Sequence, residues 1–191
     1  DHHSHQRLPN GSGGGRNSDS YTLAPPTPGG PTVGPFSGDL MINEVDADTV
    51  GSDALEFIEL YDGGAGNTAL DGVVVVLYNG SSDTVYAAYD LDGYSTNAEG
   101  YFVLGNAGVP NVSILIPDNG LQNGADAVAV YADNATSFPY GAPVKTSNLI
   151  DAIVYDTNDS DDPVLIASLL NPGQPQLNEG GMGDKDYHSN Q

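Results

Sequence analysis

Carboxylates are the chemistry this chain offers in quantity: 26 Asp and Glu stand against 4 Lys and Arg, a formal charge of −22. The densest run is Asp156-Thr157-Asn158-Asp159-Ser160-Asp161-Asp162. Alternating oxygen side chains suit a hard cation, so Asp156, Asn158, Asp159 and Asp161 form a candidate structural calcium site. As an EF-hand the run fails, because it lacks the mid-loop glycine and carries Ala167 where a bidentate Glu is needed. A looser site using Glu44, Asp46 or Asp48 stays open, as does a merely solvated acidic loop. His2, His3 and His5 could ligate a transition metal through imidazole. They read more simply as a polar lead-in to the segment that follows.

Catalytic patterns are sparse. Glu56 and Glu59 are an odd number of residues apart, so in a strand they point to opposite faces and do not form a carboxylate pair. The four histidines lie at positions 2, 3, 5 and 188, which leaves no Ser-His-Asp triad for the middle of the chain. There is no nucleophile elbow, zinc-protease helix or phosphate loop. The expectation is a protein without catalysis and with no required cofactor. Its negative surface repels nucleic acid and anionic membranes, and no apolar run approaches the roughly 20 residues of a membrane span. Cysteine is absent, which excludes disulfides and thiolate metal sites. Asn10, Asn79, Asn111, Asn134 and Asn158 head Asn-x-Ser/Thr sequons and are candidate glycosylation sites.

The elements that must carry these residues are strands. From residue 39, short runs rich in Val, Ile, Tyr and Leu alternate with Gly, Asn, Asp and Pro clusters. Strands are expected near Leu40–Val45, Leu55–Tyr61, Val73–Tyr78, Thr84–Asp90, Tyr101–Leu104, Ser113–Ile116, Ala125–Tyr131 and Leu149–Tyr155. Tyr78–Ser82 reads as a hairpin connection in which Gly80 is free to take positive φ. One helix is expected over Asp162–Leu170, opened by Pro163 and ended by Asn171-Pro172-Gly173. Many short strands with such turns predict an antiparallel sandwich. Phe57, Ile58, Leu60, Val74 or Val75, Phe102, Val128 and Ile153 are its expected core. The division expected is a Gly/Pro-rich arm over 1–38 with one short strand near 20–24, a sandwich over 39–177 and a polar tail over 178–191. In 1–38, Arg7 and Arg16 offset Asp1 and Asp19, so the whole net charge falls on the remainder.

The strand blocks resemble those of the lamin-tail domain. Leu40-Met41-Ile42-Asn43-Glu44-Val45 and Glu56-Phe57-Ile58-Glu59-Leu60-Tyr61 match its opening pair. Leu70-Asp71-Gly72-Val73, Glu99–Leu104, Leu121–Val128 and Ile150–Tyr155 follow in order. The resemblance implies an immunoglobulin-like sandwich that, in secreted microbial members, serves as an accessory or adhesion module, sometimes attached to a nuclease. It implies no catalytic residues. Secreted members close with Ser-x-x-Arg, a glycine patch, a short strand and Thr-Pro-Gly. Here that ending stands at the front, as Ser4-His5-Gln6-Arg7, Asn10–Gly15, Tyr21–Ala24 and Thr27-Pro28-Gly29. Asp186-Tyr187-His188-Ser189-Asn190-Gln191 also aligns with Asp1-His2-His3-Ser4-His5-Gln6, an offset of 185 residues.

These readings combine into an expected function. The chain is an extracellular subunit that meets copies of itself head to tail, with Tyr21, Thr22, Leu23 and Ala24 as the exchanged strand. The alternative is an adhesion or carbohydrate-binding accessory module of a larger secreted protein.

Overall fold

A computed structural model describes residues 4–7, 21–24, 38–49 and 52–179. The chain divides into two compact units, Asp1–Ser37 and Gly38–Gln191. In the first unit, β1 (Ser4–Arg7) pairs antiparallel with β2 (Tyr21–Ala24), from Ser4 opposite Ala24 to Arg7 opposite Tyr21. The expected strand near 20–24 is therefore present over its last four residues. It has a partner, β1, that alternation of apolar residues did not reveal. Ser20, the glycine patch, Thr27-Pro28-Gly29 and Asp186–Gln191 lie outside the described residues, as does the tail beyond Glu179.

The second unit is an all-β, immunoglobulin-like sandwich of two sheets. One sheet contains β3 (Met41–Asp46), β4 (Phe57–Tyr61), β7 (Tyr101–Gly105) and β8 (Val112–Leu115), in the order β3-β4-β7-β8. The other contains β5 (Val74–Asn79), β6 (Thr84–Asp90), β9 (Asp126–Tyr131), β10 (Leu149–Asp156) and β11 (Leu177–Asn178), in the order β11-β10-β9-β5-β6. The pairing departs from a purely antiparallel sandwich in two places. β7 pairs β8 in parallel, and β10 pairs β11 in parallel. Both parallel partners are short edge strands, β8 reached through a loop and β11 through α1, rather than by the tight turns that join antiparallel strands.

β5 shows how the core is arranged. Its residues from Val74 to Tyr78 are all buried, without alternation. Val74, Val76 and Tyr78 pack in a cluster with Ala127, Ala129, Tyr131, Val154 and the helix residues Leu165 and Leu169. Val75 and Leu77 point the other way by the two-residue repeat and are also buried. The second layer is α1 (Pro163–Leu169), laid over the outer face of the sheet. Asp162 caps it, its side chain accepting from the N–H groups of Val164 and Leu165, with Pro163 in the first turn. The uninterrupted apolar run Val73–Val76 thus reflects burial on both faces.

Two core expectations need correction. Ile58, Leu60, Val74, Val75, Phe102 and Val128 are buried, but Phe57 and Ile153 are only half-buried. Their strand neighbours Ile58 and Val154 take the inward positions. Gly80 is also not used for positive φ; in that connection the positive φ belongs to Asp83, at 53°. Glycine is needed at 80 for space, since a Cβ there would overlap the Ala125 carbonyl and press on Asp162. No helix among the described residues is long and apolar enough to cross a membrane.

Candidate functional site

The acidic run after β10 divides between a buried end and a stretch, Asp159–Asp162, that lines a cleft with Asp126. Asp156 is buried and committed, one oxygen accepting from the Asn158 N–H and the other from Gln176 Nε2. Asn158, Asp159 and Asp161 are exposed along the following loop. Asp162 has become the helix cap and accepts two backbone hydrogen bonds. Among the described residues no group of three or more His, Cys, Asp or Glu side chains is placed to hold a metal ion. His2, His3 and Asn10 lie outside the described residues.

The carboxylates on β3 and β4 perform structural work. Glu56 is fully buried, accepts from the N–H groups of Gly120 (2.8 Å) and Leu121 (3.1 Å), and accepts from Asn106 Nδ2 at 3.3 Å. It therefore ties the start of β4 to loops far along the chain. Burial raises its pKa, opposed by these same hydrogen bonds. Glu44 and Glu59 stand opposite one another in the β3–β4 register, and Glu59 accepts from Asn43 Nδ2. Asp62 is buried and receives the N–H groups of Gly64 and Gly66 and the Thr96 hydroxyl. Burial alone would raise its pKa, but the Thr68 side chain together with these donors outweighs it and holds the group down at about 2.

A second carboxylate group sits where β3 leaves its sheet. Glu179 is buried and its Oε1 accepts from the Ala47 N–H at 3.4 Å. Burial, then the neighbouring Asp46 and Asp48, push Glu179 up to about 8 against the pull of the Ala47 hydrogen bond. Asp46 is pushed up to about 7 by burial and by Glu44, Glu56, Asp48 and Asp53. These are paired acids that prefer to hold a proton. Sequence spacing could not have joined residue 179 to residue 46.

A groove lies beside the outer edge of β10. On its inner side the strand pairs β9 from Leu149 to Tyr155, with a register shift between Leu149 and Asp151. On its outer side β11 meets only Tyr155 and Asp156. Among the described residues no strand pairs the outer edge over Leu149–Val154. β3 lies against this side of β10, and the Ile42 N–H donates to Asp151 Oδ2 at 2.8 Å. A groove of about 470 Å³ runs along this edge, walled by Leu169 and Leu170 from the end of α1 and by Pro175 and Leu177. A second cleft, about 510 Å³, lies over Asn79–Ser81, Gln122 and Asp159–Pro163 and has no aromatic ring in its lining.

The sequons occupy different settings. Asn111 and Asn134 are exposed, Asn111 at a φ of 60° and Asn134 as the cap of a 3₁₀ turn, accepting from the Thr136 N–H and hydroxyl. Asn158 is exposed on the loop after β10. Asn79 is half-buried and its Nδ2 donates to Gln122 Oε1, so the nitrogen a glycan would need is already engaged.

No protein-family model matches the chain, and no curated protein does.

Proposed function

We propose that this chain is a non-enzymatic extracellular structural subunit, with a sandwich of the lamin-tail type, that joins copies of itself head to tail into a fibre or surface array. The observation that carries this reading is the β1–β2 unit. Two four-residue strands pair only with one another among the described residues and belong to a compact unit of their own. A two-stranded hairpin is marginal in water by itself and gains stability by extending another sheet. Addition of a strand to an exposed edge uses main-chain hydrogen bonds for affinity and alternate side chains for selection.

Charge supports the same reading. The neutral 1–38 segment meets no repulsion from a strongly negative sandwich, whereas two sandwich faces repel one another. Contact between unlike surfaces of identical subunits propagates as an open filament unless the rotation closes a ring. The carbohydrate-binding alternative would draw on exposed rings such as Tyr140 and Tyr94 rather than on the cleft over Asn79–Ser81, whose lining has no aromatic ring. Electron microscopy of the purified full chain tests the proposal. Filaments or ordered arrays are expected, and dispersed single particles at every concentration would overturn it.

A further inference from the structure

We infer that the end of the sandwich where β3 leaves its sheet binds one calcium ion, with Asp46 and Glu179 as its carboxylate ligands and Thr49 as a neutral one. The site lies within one sandwich and does not depend on joining between copies.

Two buried side chains point to a ligand there. Glu179 is 3% exposed; its Oε1 accepts from the Ala47 N–H, and its Oε2 has no hydrogen-bond partner among the described residues. Thr49 is 7% exposed, and its Oγ1 has none either. Asp46 Oδ1, on the residue before Ala47, is a third buried oxygen in the same condition, and Asn123 Oδ1 is a fourth. Asn123 is tied to the same loop through Asp53. One Asp53 oxygen accepts from the Thr49 N–H at 2.9 Å and the other from Asn123 Nδ2 at 3.2 Å. Folded proteins rarely bury a polar atom without a partner, and an ion is one of the few groups that explains such an atom. Here the four oxygens belong to one short stretch of chain and to residues bonded to it.

Charge makes that group a cation. Buried carboxylates are ordinarily paired with a base or coordinate a metal. Within residues 38–179 the one Lys or Arg is Lys145, and it is held by Asp133. Burial, more than any neighbour, raises the pKa of both Asp46 and Glu179, so metal and protons compete for the same oxygens. The ligand chemistry selects calcium. Residues 38–179 contain neither His nor Cys, which disfavours a transition metal. Among the described residues no three His, Cys, Asp or Glu side chains converge on a metal position, so two carboxylates must suffice. Calcium accepts this, because it fills its roughly six to eight positions with hydroxyl, carbonyl and water oxygens as well. Magnesium demands a tighter octahedral shell and dehydrates reluctantly. The ion links the end of β3, in one sheet, to the residue after β11, in the other.

The test uses the full chain, stripped of metal with a chelator and held in about 0.15 M salt to screen diffuse attraction by the acidic surface. Calorimetric titration with calcium chloride is expected to show one saturable equivalent per chain. Calcium is also expected to raise the melting temperature where the same concentration of magnesium does not. Glu179→Gln and Asp46→Asn should each weaken the calcium affinity by roughly tenfold or more. The double variant Asp159→Asn/Asp161→Asn, in the exposed acidic loop, should leave it unchanged. Absence of a saturable equivalent in the unmodified chain would overturn the inference. So would an affinity kept in both Glu179→Gln and Asp46→Asn, or one lost only in Asp159→Asn/Asp161→Asn, which moves the site to the cleft beside Asp126. Circular dichroism in chelator shows whether each variant folds. Where one carboxylate variant does not, the other and Thr49→Val report on the same site.

Discussion

Glu56 illustrates what single residues contribute to this sandwich. It carries a charge-bearing group at zero exposure, and the N–H groups of Gly120 and Leu121 depend on it. Replacing it with alanine leaves both donors unpaired, at a cost of about 1–3 kcal/mol for each buried group. Glu56→Ala is therefore expected to lower the urea midpoint strongly, and Glu56→Gln, which keeps one acceptor, to lower it less. Unchanged midpoints in both would contradict the role. The titrating acids make a separate prediction. Glu179 and Asp46 bind protons more tightly folded than unfolded, with pKa values of about 8 and about 7 against the ordinary 4.5 and 3.8. Their contribution to stability is full below about pH 4 and is lost as pH rises toward 8, because the folded state then holds the excess protons. Asp62 acts in the opposite sense. Its pKa is about 2 against the ordinary 3.8, so its contribution is lost as the pH falls below about 4. Thermal melts across pH 3–9 should decline on the alkaline side, and Glu179→Gln should flatten that limb. An alkaline limb identical in the variant would refute the assignment.

At the scale of elements, α1 and the β5–β6 connection depend on each other. Asp162 caps the helix, and glycine at 80 lets the connection pass close to Ala125 and Asp162. Asp162→Ala should cost about 1 kcal/mol through loss of the cap. Gly80→Ala should cost about 1–3 kcal/mol, since the added methyl has backbone rather than a flexible side chain in its way. Both are read from denaturant unfolding. Much of this level was legible in the sequence. The eight main strands of the sandwich fall within two residues of their expected bounds, because β-branched runs bounded by Gly, Asn and Asp leave few alternatives. The helix was legible from Pro163 and Asn171-Pro172-Gly173. What escaped was long-range. β11 has two residues and no pattern, and β1 is a polar segment recognised as a strand only through its partner. Phe57 and Ile153 were placed in the core because hydrophobicity alone does not say which face of a strand turns inward. The spacing of the acidic run was visible in the sequence, whereas the hydrogen bonds that occupy Asp156 were not. The carboxylates that do share an environment, Asp46 and Glu179, are separated by most of the sandwich sequence.

The whole molecule combines a neutral two-stranded unit with an acidic sandwich whose sheets end in unpaired outer strands, and the proposed function is the pairing of these parts between copies. Heterologous joining should be concentration-dependent and relatively insensitive to salt, since one partner has no net charge. The sharpest test is sedimentation velocity on the full chain, on a chain lacking residues 1–30, and on that shortened chain after addition of a synthetic 1–30 peptide. The account predicts large species from the full chain and monomer from the shortened one. With the peptide added, it predicts a complex of one peptide per sandwich that cannot propagate and that melts at a higher temperature than the shortened chain alone. Assembly of the shortened chain to the same size as the full chain, or no binding of the peptide, would contradict it.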